Sequence, residues 1–298
     1  MSDKESVHKE TSRLHKKRHR RQFENQTRQI EPLRTVKAKQ EGNSAMATIL
    51  IKTASPWATY EKVYKQTLGD GDLVLVAEKR GISGDVVDIR RFLELSMQQI
   101  KMLQSIQHPN IVTVHEIYSD KTNHHVVYEH MPRSLQEAIG NPYLNRQRLA
   151  AIVGQVVEAL VYLEKMGLQH GHLSCSCILL HPSGRIKLSK ACTDGQENCR
   201  PLSSKKDVVD LGYSMVELMQ GYAKEGVNLG LDDPEHWDSD VVGFLSATTS
   251  ASSANELSQV GLTPFCYEAA ANLHTASILT FLAKRKIEGA GFSGYDMD

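Results

Sequence analysis

The stretch that decides the fold is His170-Gly171-His172-Leu173-Ser174-Cys175-Ser176-Cys177-Ile178-Leu179-Leu180, followed by Ile186-Lys187-Leu188-Ser189-Lys190-Ala191-Cys192. Two short segments, residues 178–180 and 185–188, flank the turn residues 182–184, Pro-Ser-Gly. This pattern predicts two short strands joined by a hairpin. The polar loop before them holds two histidines and two cysteines, which makes it the first candidate functional region.

The composition is that of an ordinary globular chain. Its 298 residues are enough to bury a large core in one domain or two lobes. Acidic and basic residues number 35 each, so no net charge attracts nucleic acid. No run reaches the roughly 18 apolar residues that cross a bilayer. The N-terminus has no apolar signal segment, and five scattered cysteines suit a reducing compartment, so we expect a cytoplasmic or nuclear protein with no membrane partner.

Residues 1–45 differ from the rest of the chain. They are highly charged and almost free of aromatic residues, and we expect a disordered N-terminal tail. The basic cluster in this tail, residues 16–21, is compatible with a nuclear localisation signal or a nucleic-acid-binding arm. Acidic residues are interspersed nearby, which favours a solvated tail and makes nucleic acid the less favoured partner.

Beyond residue 46, strands are predicted first and helices afterwards. The expected strands are residues 47–52, 60–65, 73–77, 111–114 and 126–128, with a hairpin turn at Gly69-Asp70-Gly71. The helical spacing of apolar residues predicts helices over 90–106 and 146–166, and the remainder is expected to be mainly helical. Strands followed by helices indicate an α+β fold with two lobes.

Several segments, in the same order, resemble the protein kinase superfamily. The stretch from His170 to Cys192 has the rhythm of the catalytic loop and metal-binding turn of that family. Residues 108–112, His-Pro-Asn-Ile-Val, and residues 204–212 resemble two further family segments. The resemblance covers residues 48–284. Within the family, the chain is most similar to the sterile-twenty branch. It implies a kinase-like N-lobe at 46–131, a C-lobe at 132–284 and a C-terminal tail at 285–298.

The resemblance also implies that the chemical groups of the family are replaced. In register, His172 stands at the position of the catalytic aspartate, Cys177 at the metal-holding asparagine and Lys190 at the metal-holding aspartate. Phosphoryl transfer depends on positioning and on charge neutralisation by magnesium, and an ammonium group repels that ion. We therefore expect a pseudokinase that is not an enzyme and that has no metal and no resident cofactor.

The positions that would contact a nucleotide are only partly kept. The stretch matched to the phosphate-covering loop is 56–63, where all three glycine positions are substituted. In the family, a lysine on a strand pairs with a glutamate. Here the lysine position holds Lys79, the glutamate position holds Gln99, and the gatekeeper position holds Tyr128. By resemblance, the nucleotide contacts would be Lys79, Val63, Ala77, Leu179 and Met131.

The resulting prediction is a pseudokinase that serves as a scaffold or an allosteric partner in signalling. Protein partners are expected, with an active kinase among them. One alternative is a switch that binds ATP or ADP through Lys79 without magnesium. Another is an atypical active serine/threonine kinase with His172 as general base. A zinc or copper site formed by His172, Cys177 and Cys192 is less favoured, because Lys190 would repel the cation.

Overall fold

A computed structural model describes residue 49 and residues 51–68, 72–120, 123–181, 183–189, 205–222 and 230–259. The predicted tails, 1–45 and 285–298, lie outside the described residues, as do Lys190 and Cys192. None of the helices in the described ranges combines the length and the apolar character needed to span a bilayer.

The described residues of the first lobe form a six-stranded sheet, one α-helix and a short 3-10 helix (Pro56–Ala58). Its strands lie in the order β1-β5-β6-β4-β3-β2, antiparallel except for the parallel pair β1 and β5. The helix α1 (Met97–Ser105) connects β4 to β5. The strands are β1 (Ile51–Lys52), β2 (Tyr60–Leu68), β3 (Asp72–Lys79), β4 (Val86–Phe92), β5 (Val114–Asp120) and β6 (Asn123–Glu129).

Each face of this sheet buries a different set of side chains, because successive residues of a strand point to opposite faces. The inner face packs against α1, where Ile100 and Leu103 meet Val126 and Tyr128 of β6. The outer face carries the second set, with Trp57 packed against it. We call this set the outer cluster, and its members are Tyr60, Ala77, Val87, Ile89, Tyr118 and Val127.

The helix predicted over residues 90–106 is wrong in its first half. Residues 86–92 form β4, and the helix begins only after Ser96. The Ser96 hydroxyl accepts a hydrogen bond from the Gln99 backbone N–H at 3.2 Å, and the Gln99 side-chain oxygen accepts one from the Ser96 N–H at 2.8 Å. This capping box satisfies two backbone donors at the helix start and fixes the helix boundary.

The described residues of the second lobe form four α-helices, two short 3-10 helices and a small three-stranded sheet. The helices are α2 (Arg146–Lys165), α3 (Lys205–Gln220), α4 (Ser239–Ser250) and α5 (Ala254–Gln259). The sheet has the order β7-β8-β9, with β7 (Arg133–Ser134), β8 (Ile178–Leu180) and β9 (Ile186–Leu188). The predicted helix α2 and the predicted β8–β9 hairpin are confirmed. A strand-rich first lobe and a helical second lobe together form a two-lobed α+β fold, as predicted.

Candidate functional site

The chain passes from the first lobe to the second through residues 129–132, which we call the connector. Asp88 on β4 holds this connector. Its Oδ2 accepts a hydrogen bond from the Met131 backbone N–H at 3.0 Å, and its Oδ1 accepts one from His130 Nδ1 at 2.7 Å. Asp88 is only 4% exposed. A buried carboxylate is tolerated when donors meet both oxygens, and the connector supplies both donors.

The connector also forms hydrogen bonds with β2 and with Thr113. The side-chain amide of Gln66 on β2 donates to the Pro132 carbonyl oxygen at 2.7 Å. The backbone N–H of Glu129 donates to the Thr113 carbonyl oxygen at 3.0 Å. Together with the contacts of Asp88, these bonds use polar backbone groups on three of the four connector residues.

A buried ion pair joins the connector to the second lobe. Lys187 Nζ on β9 lies 2.6 Å from Glu129 Oε1, and the lysine side chain is 5% exposed. The same oxygen accepts the Thr113 backbone N–H at 2.6 Å. Burial raises the pKa of Glu129, but the bonds from Lys187 and Thr113 outweigh it and hold the pKa below its usual value. The Glu129 carboxylate therefore stays ionised and ties β9 to the connector.

Apolar side chains from both lobes fill the space beside the connector. Leu68 and Val74 of the first lobe pack against Met131 and against Leu179 of the second, and none of the four is more than 3% exposed. Two of the five predicted nucleotide contacts, Met131 and Leu179, are therefore brought together. Leu68 and Val74 of the chain itself pack against both of these residues.

The other three predicted nucleotide contacts lie elsewhere. Val63 is the extra residue of a bulge in β2 and is 56% exposed. Ala77 belongs to the outer cluster. Lys79 lies opposite Tyr60, a member of the same cluster, and cross-strand partners share a face. The predicted grouping with Leu179 is therefore wrong for Ala77 and Lys79, because they occupy the sheet face directed away from the second lobe.

The predicted contact between Lys79 and Gln99 does not form either. The Gln99 side-chain oxygen is the acceptor in the capping box of α1. Within the described ranges, the Lys79 ammonium group makes no hydrogen bond or ion pair with Gln99. The glutamine stabilises the start of the helix and has no part in a charge pair.

The loop before β8 is anchored through its backbone. Asp207 on α3 is 3% exposed and accepts the backbone N–H groups of His170 at 2.7 Å and Gly171 at 2.8 Å. His170 Nε2 donates to the Ser189 carbonyl oxygen at 2.7 Å. Burial lowers the pKa of His170, and the nearby Asp207 carboxylate only partly opposes it, so the imidazole stays neutral. Next to this rigid anchor, His172 is exposed.

The remaining loop residues supply soft or neutral groups. Cys177 is 8% exposed, and the Ser174 hydroxyl lies 3.7 Å from its sulfur. Magnesium prefers carboxylate and other oxygen ligands in octahedral geometry, so the described residues of this loop do not fit that ion. In the part of the chain that the structure describes, no three His, Cys, Asp or Glu side chains are grouped to hold a metal. A softer site that includes Cys192 stays a prediction, since that residue is outside the described ranges.

Comparison with known proteins identifies the region that holds this site. The protein kinase domain family matches residues 62–193. We call this matched region, residues 62–193, the kinase-like domain. Similar proteins include NUAK family SNF1-like kinase 2 of Rattus norvegicus, 31% identical over 133 residues, and cyclin-dependent kinase 12 of Drosophila melanogaster, 28% identical over 150 residues. CTD kinase subunit alpha of Saccharomyces cerevisiae is 25% identical over 208 residues.

These matches are partial on both sides. The rat, fly and yeast matches cover 44%, 45% and 68% of this chain. They cover 21%, 13% and 38% of the respective relatives, so the kinase-like domain spans well under half of those proteins. The assignment to the sterile-twenty branch stays a prediction.

The comparisons correct one prediction. We expected a protein that is not an enzyme, because three chemical positions of the family are replaced. The relatives that match the kinase-like domain are named protein kinases, at about 30% identity, and they point to a kinase. The expectation of a non-enzyme is therefore contradicted.

Arg90 is a candidate site residue that sequence reasoning missed. The β4 stretch Val87-Asp88-Ile89-Arg90 follows the V-A-I-K pattern of the kinase lysine strand, with aspartate for alanine and arginine for lysine. This strand leads directly to α1, which carries Gln99. The Arg90 guanidinium lies 5.8 Å from the centre of the Tyr128 ring, on the inner face. The alternation of residues 87–90 was the available signal, and the helical interpretation of this segment concealed it.

Proposed function

We propose that the kinase-like domain acts in signalling by binding protein partners, as a scaffold or an allosteric partner. The filled space between its lobes supports this proposal most directly. Leu68, Val74, Met131 and Leu179 pack together there and join the two lobes through apolar contact. A pair of lobes fixed in this way presents one rigid surface to a partner, so less ordering entropy is lost on association.

The ion pair of the connector supports the same proposal. Lys187 and Glu129 link β9 to the first lobe beneath the surface, where salt screens the attraction little. By its name, one similar protein, cyclin-dependent kinase 12, depends on a cyclin, which is a protein partner. For this chain we propose partners among signalling proteins, including active kinases, in the cytoplasm or nucleus.

Binding to a panel of purified serine/threonine kinases tests this role. The full chain is immobilised, and association is measured by interferometry with and without ATP. We expect at least one kinase to bind with an affinity that ATP does not change. Binding to no member of the panel, or binding only with ATP, would count against a rigid scaffold.

A second candidate function is that of an atypical serine/threonine kinase. Exposed His172 favours it, because this imidazole sits at the family's base position on a loop whose backbone Asp207 holds in place. A positioned general base contributes about 100- to 10,000-fold to a rate. On this candidate function, phosphate transfer to a protein substrate falls by that order in His172→Ala.

The control for this assay is His236→Ala. His236 is an exposed histidine at the end of a short 3-10 helix in the second lobe. Its replacement removes an exposed imidazole from a different segment of the second lobe and should leave the rate unchanged. Transfer that survives His172→Ala would exclude this histidine as the base.

A further inference from the structure

Asp88 stands between the lobes, on the inner face of the first sheet. It lies opposite Val76 of β3 and Tyr128 of β6 in the strand register. Its neighbours on β4, Val87 and Ile89, point into the outer cluster, so the carboxylate points the other way. The position is therefore the roof of the cleft, next to the filled space that holds Met131.

The carboxylate contacts the connector as a ligand would. It takes the Met131 backbone N–H with one oxygen and the His130 imidazole with the other. A backbone N–H at this place would otherwise be a free donor facing the cleft, able to bind an acceptor atom on the edge of a nucleobase. Because Asp88 is 4% exposed, water does not compete for these bonds.

The family pattern of this strand shows what is unusual about Asp88. In the V-A-I-K pattern the corresponding residue is alanine, whose methyl group neither donates nor accepts a hydrogen bond. A methyl at position 88 would leave the Met131 N–H free to meet an incoming base. The aspartate instead supplies an acceptor from within the chain.

We propose that Asp88 is a built-in stand-in ligand, which occupies the connector N–H and keeps adenine nucleotides out of the cleft. A base edge that offers an acceptor would meet a carboxylate, and two acceptors repel each other. Gln66 reinforces the closure, because it holds the Pro132 carbonyl oxygen at 2.7 Å. This inference rests on the proposed function in one respect: both require that the cleft between the lobes is closed.

Calorimetric titration of the full chain with ADP and ATP, with magnesium and with a chelator, tests the proposal. Asp88→Ala removes the acceptor, and Asp88→Asn keeps an acceptor while removing the charge. We expect Asp88→Ala to bind ADP about 10- to 100-fold more tightly than the wild type, as for one hydrogen bond of a charged group. Asp88→Asn should bind as weakly as the wild type, because its amide oxygen still accepts the Met131 N–H.

Several outcomes would overturn the proposal. They are a wild type that already binds ADP as tightly as Asp88→Ala, a folded Asp88→Ala with no gain, and an equal gain in Asp88→Asn. Folding is checked by near-ultraviolet circular dichroism. Should Asp88→Ala not fold, hydrogen exchange of the Met131 amide in the wild type decides: slow exchange that saturating ADP leaves unchanged supports the stand-in, and fast or ADP-sensitive exchange overturns it.

The same titration separates this inference from the proposed function. A wild type that binds ADP as tightly as Asp88→Ala would overturn the stand-in ligand and leave kinase capture as a separate result. Conversely, a gain of ADP binding in Asp88→Ala supports the stand-in even where the wild type captures no kinase.

Discussion

The loop before β8 and the connector between the lobes illustrate two ways of changing a site within one fold. At the loop, the groups at the chemical positions differ from the family while the backbone anchor is intact: Asp207 holds two consecutive N–H groups. At the connector, side chains of the chain itself take the backbone groups that a ligand would meet, as Asp88 does at Met131. Hydrogen bonds to the backbone hold the loop whichever side chains stand beside them. At the connector, by contrast, one new acceptor side chain is enough to occupy the backbone donor.

The largest effect is expected where the anchor itself is broken. Asp207→Ala leaves the buried N–H group of His170 and the half-buried N–H group of Gly171 without their acceptor. Each unsatisfied buried donor costs on the order of 1–3 kcal/mol, so we expect a loss of about 4 kcal/mol in the free energy of unfolding. Urea denaturation followed by circular dichroism measures it.

The matched variant at this position is Asp207→Asn. It keeps one acceptor oxygen and should lose roughly half as much stability, since one of the two N–H groups stays bonded. A fully stable Asp207→Ala would show that the loop does not depend on this carboxylate, and the contrast between loop and connector would fail.

A smaller effect is expected at the ion pair of the connector. Lys187→Met removes the cation and leaves the partly buried Glu129 carboxylate with only the Thr113 N–H. Breaking a buried pair from one side is costly, but Glu129 retains some solvent contact, so we expect a loss of about 2 kcal/mol. Chemical denaturation at neutral pH measures it.

The pH dependence of stability provides a second test of this pair. Because the folded pKa of Glu129 lies below its unfolded value of 4.5, its contribution is fully present above pH 4.5 and is lost as the pH falls through the folded pKa. In Lys187→Met that pKa rises, so the contribution of Glu129 should disappear at a higher pH than in the wild type. Identical acid unfolding profiles would mean that the pair does not stabilise the folded state.

Local signals were sufficient for some elements of the fold. The helix α2 has apolar residues at helical spacing and an Asn145 cap that accepts the Arg148 N–H at 3.0 Å. The β8–β9 hairpin has turn residues between two short strands, with Gly184 at a φ of +88° that favours glycine. Neither element needs a distant partner to be recognised.

The candidate site required information that no short window contains. Whether Ala77 or Val74 faces the second lobe depends on strand register, and a shift of one residue exchanges the two faces. Phe92, Leu95 and Ile100 fit a helical period although they extend across a strand, a loop and a helix. Asp88 and Met131, moreover, are 43 residues apart in the sequence. Their hydrogen bond follows from the sheet order.

The smallest expected effect comes from a comparison of Arg90 with Lys79, which tests which of the two cationic side chains faces the cleft. Arg90→Ala removes the guanidinium from the Tyr128 ring, a contact of about 1 kcal/mol where it is partly shielded from water. Lys79→Ala changes a side chain on the outer face and should alter stability by less than about 0.5 kcal/mol. In the Asp88→Ala background, Arg90→Ala should also weaken ADP binding, because Arg90 lies on the inner face with the opened connector, whereas Lys79→Ala should not. The reverse order of effects would place Lys79 in the cleft and would show that the strand register assigned to the nucleotide side is wrong.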